Sequence, residues 1–239
     1  QQKNYKKDLQ HMTRNNITML QIVAEGLKDL NDSVVYVGGS VAELYANDPA
    51  ATDIRPTMDI DCVIELTSYL GFNELSRTLQ SKGFKNDQTT GSPICRWIYN
   101  GITVDIMPDD ENILGFTNSW YKSGISHKEQ KQLPDGQTIY IFPTVYYVAT
   151  KLEALFSRGG KDIRGAHDFE DIVYILNNCP DFLEQHNRSN NPDLKTYLKE
   201  KFTHLKNRPN FAEEIECVLP IGEEERIEII QEIIQIITD

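Results

Sequence analysis

Between Thr13 and Asp29, the apolar residues Ile17, Leu20, Ile22, Val23 and Leu27 recur at mostly helical spacing, and the pattern predicts an opening helix with Thr13 as its cap. The β-branched run SVVYV (33–37) predicts a short strand that ends in Gly38, Gly39 and Ser40, after which VAELY is expected to continue as a helix. A loop containing Pro49 and Pro56 leads into a second strand, MDIDCVIEL (58–66). A helix around FNELSRTLQSK follows, and Gly83 is its natural stop. The stretch RWIYNGITVDIMP (96–108) has the signature of a hairpin, because Asn100-Gly101 suits a tight turn with positive φ between two β-rich runs. A second turn, Pro134-Asp135-Gly136, precedes the strand TIYIF (138–142).

From Pro143 onward the period changes from two to 3.6. PTVYYVATKLEALFSRG, DFEDIVYILNN, DLKTYLKEKFTHL and EEERIEIIQEIIQIIT all read as helices, which divides the chain into a mixed domain over 1–142 and a helical region over 143–239. NRSNNPD (187–193) is the most loop-like stretch of the second half. The isoleucine-rich tail (227–237) is read as core or as a partner-binding face.

Composition narrows the picture. With 239 residues, 39% hydrophobic and 25% charged, the chain has the make-up of a folded protein with a real core. Its 24 basic and 36 acidic residues leave a net charge of -12, which argues against broad attraction to nucleic acid or to an anionic membrane. Cys62, Cys95, Cys179 and Cys217 show no metal-type spacing and read as reduced thiols. No apolar run approaches a membrane span, and the polar start QQKNYKKDLQ lacks the apolar core of a signal peptide. The expected location is the cytoplasm.

The chemistry concentrates in RPTMDID (55–61). Alternate strand residues share a face, so Asp59 and Asp61 point to one side while Ile60 and Cys62 take the other. Two carboxylates that close repel, and they need a positive partner or open water. The ITVDIM arm of the hairpin carries a third acid, Asp105, between Val104 and Ile106. If these strands are neighbours, three carboxylates converge, and an oxygen-only cluster of that kind suits magnesium or manganese rather than zinc. Upstream, VGGS (37–40) has the make-up of a phosphate cradle: glycines allow close backbone approach, and Ser40 adds a hydroxyl. Each feature has a plainer reading as a solvated edge pair, a surface acid or an ordinary turn. The ordered combination is what makes it specific.

Taken together, VGGSVAELY, RPTMDIDCVIEL, ITVDIMP and ATKLEALFSRGGKDIRGAHDFEDIVYIL resemble the polymerase-β-type nucleotidyltransferase superfamily. Within it, the chain is similar to the bacterial abortive-infection type of nucleotidyltransferase toxin, over roughly residues 33 to 176. The resemblance implies an α/β (α+β) fold, a mixed sheet flanked by helices with a helical C-terminal region closing over the nucleotide. It implies transfer of a nucleoside monophosphate from an NTP to an acceptor hydroxyl, with tRNA as an acceptor and an antitoxin protein as a partner in toxin-like relatives.

Carried over by position, Gly39 and Ser40 would hold the triphosphate, and Asp59 and Asp61 would bind metal. Asp105 would be the third ligand and help to activate the acceptor. Lys151 fits a helical lysine directed at the phosphates, Asp171 fits the acid associated with it, and Asp168 is its rival. Arg55 would order the loop or reach a phosphate, and Arg158, Lys161 and Arg164 form a basic patch, while His127 and His167 read as structural or solvent-facing. A small hydroxylated cation of the aminoglycoside type as acceptor, or a silent NTP-binding module acting through a protein partner, are the alternatives.

Overall fold

The computed structural model describes residues 15–46, 51, 54–158 and 162–239; Thr13, Pro49 and Lys161, named above, lie outside them. Helix α1 (Asn16–Leu27) is capped by Asn15, whose side chain accepts from the Thr18 amide at 2.8 Å, and it passes into a 3-10 turn at Lys28–Ser33. Strand β1 (Val34–Val37) is buried along its whole length, as suits a strand in the middle of a sheet.

The segment after β1 departs from expectation. Gly39–Tyr45 is a 3-10 helix and not an α-helix. It is held at both ends, by Gly38 at φ 74° and by Tyr45, whose hydroxyl donates to the Phe142 carbonyl at 2.8 Å. Six of its seven residues are buried in the core, in a short, tight element of the kind 3-10 geometry provides.

Strand β2 (Asp59–Ile64) is followed by α2 (Tyr69–Ser81), which Ser68 caps and after which Gly83 takes φ 91°. Then come β3 (Lys85–Asn86), β4 (Arg96–Tyr99) and β5 (Ile102–Pro108). Asn100 and Gly101 have φ of 48° and 74°, the two positive values a two-residue hairpin turn demands. Two short helices, α3 (Glu111–Leu114) and α4 (Tyr121–Ser126), lead to β6 (Glu129–Gln132) and β7 (Thr138–Ile141). Strand β6 carries no apolar alternation. Its residues EQKQ are largely exposed on an edge, so only pairing with β7 makes it a strand.

The described strands form one mixed seven-stranded sheet in the order β3-β4-β5-β2-β1-β7-β6. Strands β2 and β5 run parallel, while β1 runs antiparallel to β2 and parallel to β7. The remaining elements are α5 (Thr144–Ser157), α6 (His167–Asn178), α7 (Asp181–Arg188), α8 (Pro192–Lys206), α9 (Phe211–Glu216) and α10 (Arg226–Thr238). The loop expected over 187–193 is shorter than the sequence suggests, because α7 runs to Arg188 and α8 starts at Pro192. Helix α5 is buried along most of its length and packs against α6, which in turn packs on the 3-10 segment after β1. This packing brings the helical half to the edge of the acidic strands.

Cys62, Cys95 and Cys179 are buried free thiols and Cys217 is exposed. Among the described residues, no helix is long and apolar enough to cross a membrane.

Candidate metal and nucleotide site

Parallel pairing of β2 with β5 places Asp61 opposite Asp105 and Asp59 opposite Thr103. Asp59, Asp61 and Asp105 each offer a carboxylate oxygen within 4.8 Å of the others. The sheet therefore brings together the three acids on which the sequence reading rests. Asp59 and Asp61 are half-buried and Asp105 is buried. Burial, then the Asp59 charge, pushes the Asp61 carboxyl up to about 7, with Asp105 adding to the rise and Lys151 and Arg96 opposing it. A carboxyl held that far above its ordinary range has too little counter-charge from Lys151 and Arg96, and a divalent cation would supply more. With three oxygen donors, the residues fit a hard divalent cation.

Arg96 is a site residue that the sequence reading passed over. It faces Asp105 across the hairpin and forms a two-pronged ion pair with it, Nε to Oδ1 at 2.8 Å and Nη2 to Oδ2 at 2.7 Å. The carboxylate in turn keeps the guanidinium firmly charged, its pKa raised first of all by that hydrogen bond. The signal was present in the sequence: a two-residue Asn-Gly turn dictates that residue 96 pairs with residue 105.

The glycine turn sits beside the acids because β1 pairs with β2 in a register that sets Val37 opposite Asp61. Gly38 follows directly, with φ 74° and ψ -170°, a conformation open essentially to glycine alone, and a Cβ there would run into the Asp61 carboxylate. Its carbonyl accepts from the Tyr147 hydroxyl at 3.0 Å. At Gly39, a Cβ would lie 2.9 Å from Arg55 Nη2 and from Thr57 Cγ2. The Oγ of Ser40 is enclosed and has no hydrogen-bond partner among the described residues, an unmet polar group beside the acidic strands. Gly38→Ala is expected to cost about 3 kcal/mol through the strained φ and the carboxylate clash. Urea unfolding checks it: the midpoint should fall with the slope unchanged.

Asn16 is a second residue that the sequence reading missed. Buried at the start of α1, it accepts from the Thr57 amide at 2.9 Å and donates to the Arg55 carbonyl at 3.3 Å, which braces the loop that delivers Asp59. No local pattern marks it, since its partners lie some forty residues away.

Lys151 projects from α5 toward α6. Its Nζ is 2.6 Å from Asp171 Oδ2 and 3.4 Å from Asp168 Oδ1, so it touches both acids that the sequence left as rivals, Asp171 more closely. Burial works against its charge, but Asp171 and Asp168 outweigh burial and the pKa rises. Lys151 is only 8% exposed, so it is no solvated face residue. Arg55 joins the same network, with Nε 3.0 Å from Glu170 and Nη2 3.4 Å from Asp171. Arg158 pairs with Asp168 at 2.5 Å, and Arg164 lies 3.8 Å from Glu213. His127 stacks on Tyr146 and His167 lies 3.5 Å from Glu170, both away from the acid cluster.

No family model matches this chain, and no curated protein does. Among solved structures, it is similar to the crystal structure of an antigenic nucleotidyltransferase-like protein from Paracoccidioides brasiliensis, at 19% identity over 85% of this chain and 93% of that chain, with a TM-score of 0.52. That likeness, with the mixed sheet and its flanking helices, shows that the chain has a nucleotidyltransferase-like α/β fold.

Proposed function

We propose that the protein is a metal-dependent nucleotidyltransferase that moves a nucleoside monophosphate from an NTP to an acceptor hydroxyl and releases pyrophosphate. The observation that carries this reading is the convergence of Asp59, Asp61 and Asp105 on two paired strands beside a glycine turn with an unmet serine hydroxyl. Asp59, Asp61 and Asp105 would hold magnesium or manganese. Such a cation, when bound, neutralises phosphate charge and favours attack at phosphorus.

The chain's own groups have separable tasks. Gly39 and Ser40 hold the triphosphate. Lys151 exchanges its looser partner Asp168 for a phosphate oxygen, while Asp171 keeps the amine oriented. Arg96 fixes the plane of the Asp105 carboxylate, which takes the acceptor's proton as the new oxygen–phosphorus bond forms and the bond to pyrophosphate breaks. In this division, residues 1–142 carry the acids and the phosphate turn, and residues 143–239 supply the lysine. The proximity of Lys151 to the acids, felt as a charge at Asp61, supports transfer over a silent binding module.

Two acceptor classes follow from two observations. The resemblance to abortive-infection toxins points to a tRNA 3′ end and a protein antitoxin, whereas the net charge of -12 suits a cationic hydroxylated small molecule. Incubation with each α-labelled NTP, magnesium, cellular RNA and small-molecule fractions separates them. Label in RNA supports the first and label in small molecules the second. No label with any NTP or acceptor, in a protein that still binds NTP, overturns transfer.

A further inference from the structure

A cavity of about 460 Å³ opens on the face of α6 next to the one that carries Asp168 and Asp171. Its wall is unusual for so acidic a chain. Arg55, Arg164 and His167 line it, and Glu170 is the single carboxylate among its described lining residues. The rest of the lining mixes apolar residues, Val173, Val218 and Leu219 among them, with Asn177 and Asn178, and the apolar residues form a floor. Its size falls in the range of small-molecule pockets, and its make-up, an apolar body with a few convergent charged groups, is that of a binding site for a small organic anion. From these observations we propose that the cavity binds a phosphomonoester on an apolar or aromatic body, its phosphate between Arg164 and His167 and its body on the floor.

The charges favour a doubly negative headgroup over a carboxylate. Among the described residues, the Arg164 guanidinium lies 3.8 Å from Glu213 while its backbone amide donates to Asp162 at 3.1 Å, and the His167 ring lies 3.5 Å from Glu170, so both side chains keep donors to offer. Arg55 is more fully engaged, with Glu170 at 3.0 Å and Asp171 at 3.4 Å, and it lines the cavity. Its guanidinium also backs Gly39, where a Cβ would come within 2.9 Å of Nη2. The cavity is therefore separate from the glycine turn but shares one wall with it.

The test is calorimetric titration of the intact protein with phenyl phosphate in EDTA at pH 6.5. Saturable binding is expected, weakened about tenfold in Arg164→Gln and in His167→Gln, each removing one charge-assisted hydrogen bond. Ser40→Ala and Asp61→Asn should leave it unchanged, and inorganic phosphate should bind more weakly because it lacks the body. Three results would each overturn the proposal: no saturable heat, affinity that neither cavity variant alters, or affinity lost in Ser40→Ala, which would place the anion on the glycine turn instead. Failure of nucleotidyl transfer in the labelling assay leaves this measurement unaffected.

Discussion

Asp61→Asn is expected to abolish nucleotidyl transfer while making the metal-free protein more stable. The two effects have one cause. Burial and the Asp59 charge hold the Asp61 carboxyl near 7, far above its ordinary value of 3.8, so ionised Asp61 is a burden on the fold that only a cation relieves. A group whose folded pKa is raised carries no penalty below its unfolded pKa; the penalty grows as pH climbs from about 4 to about 7 and is complete above that.

In EDTA, the melting temperature of the wild type should therefore fall between pH 5 and pH 8, and Asp61→Asn should flatten that fall. Because Asp61 is only partly buried, water screens some of the penalty, and the gain at pH 8 is on the order of 2 kcal/mol, or about 5 °C for a chain of this size. Adding manganese should raise the wild-type melting temperature and leave the variant's nearly unmoved. Loss of a metal ligand removes several kcal/mol of charge stabilisation, so transfer should drop at least ~10³-fold. A variant that is fully active, or one that melts lower than wild type in EDTA at pH 8, would refute the assignment of Asp61 as a metal ligand.

Lys151→Met should destabilise the site strongly. Asp171 is fully buried and Asp168 nearly so, and Lys151 is the closest cation to Asp171, at 2.6 Å. Removing one partner of a buried pair leaves an uncompensated charge and costs about 3–5 kcal/mol. Arg55 at 3.4 Å and Arg158 on Asp168 keep the loss toward the lower end. Chemical unfolding of the single variants and of Lys151→Met/Asp171→Asn closes a double-mutant cycle. The double variant should recover a large part of the loss, with a coupling of 1 kcal/mol or more. Additive effects would mean that the lysine serves only the phosphates and does not hold α5 to α6.

Much of the fold was written locally. The helices over 144–157, 167–178, 192–206 and 226–238 follow from apolar spacing at 3.6, the Asn100-Gly101 hairpin from two positive-φ residues, and the strands at Val34–Val37 and Asp59–Ile64 from β-branched runs. Even the Arg96–Asp105 pair was legible, because a two-residue turn leaves one register open.

Three strand acids in order, a glycine turn before them and a lysine helix after them are legible in any linear reading of the chain. Tertiary structure alone decided how they meet. Parallel pairing of β2 with β5 spans some forty residues, and nothing local states that Asp61 faces Asp105. The strand Glu129–Gln132 exists only through its neighbour, and the segment after Gly38 is a buried 3-10 turn that no local pattern announces. The hold of Lys151 on both Asp171 and Asp168 comes from the packing of α5 on α6. Side-chain periodicity and turn dihedrals act over a few residues and leave their mark in any short window. Long-range register is chosen by burial of the whole core, and no single stretch of the chain contains that information.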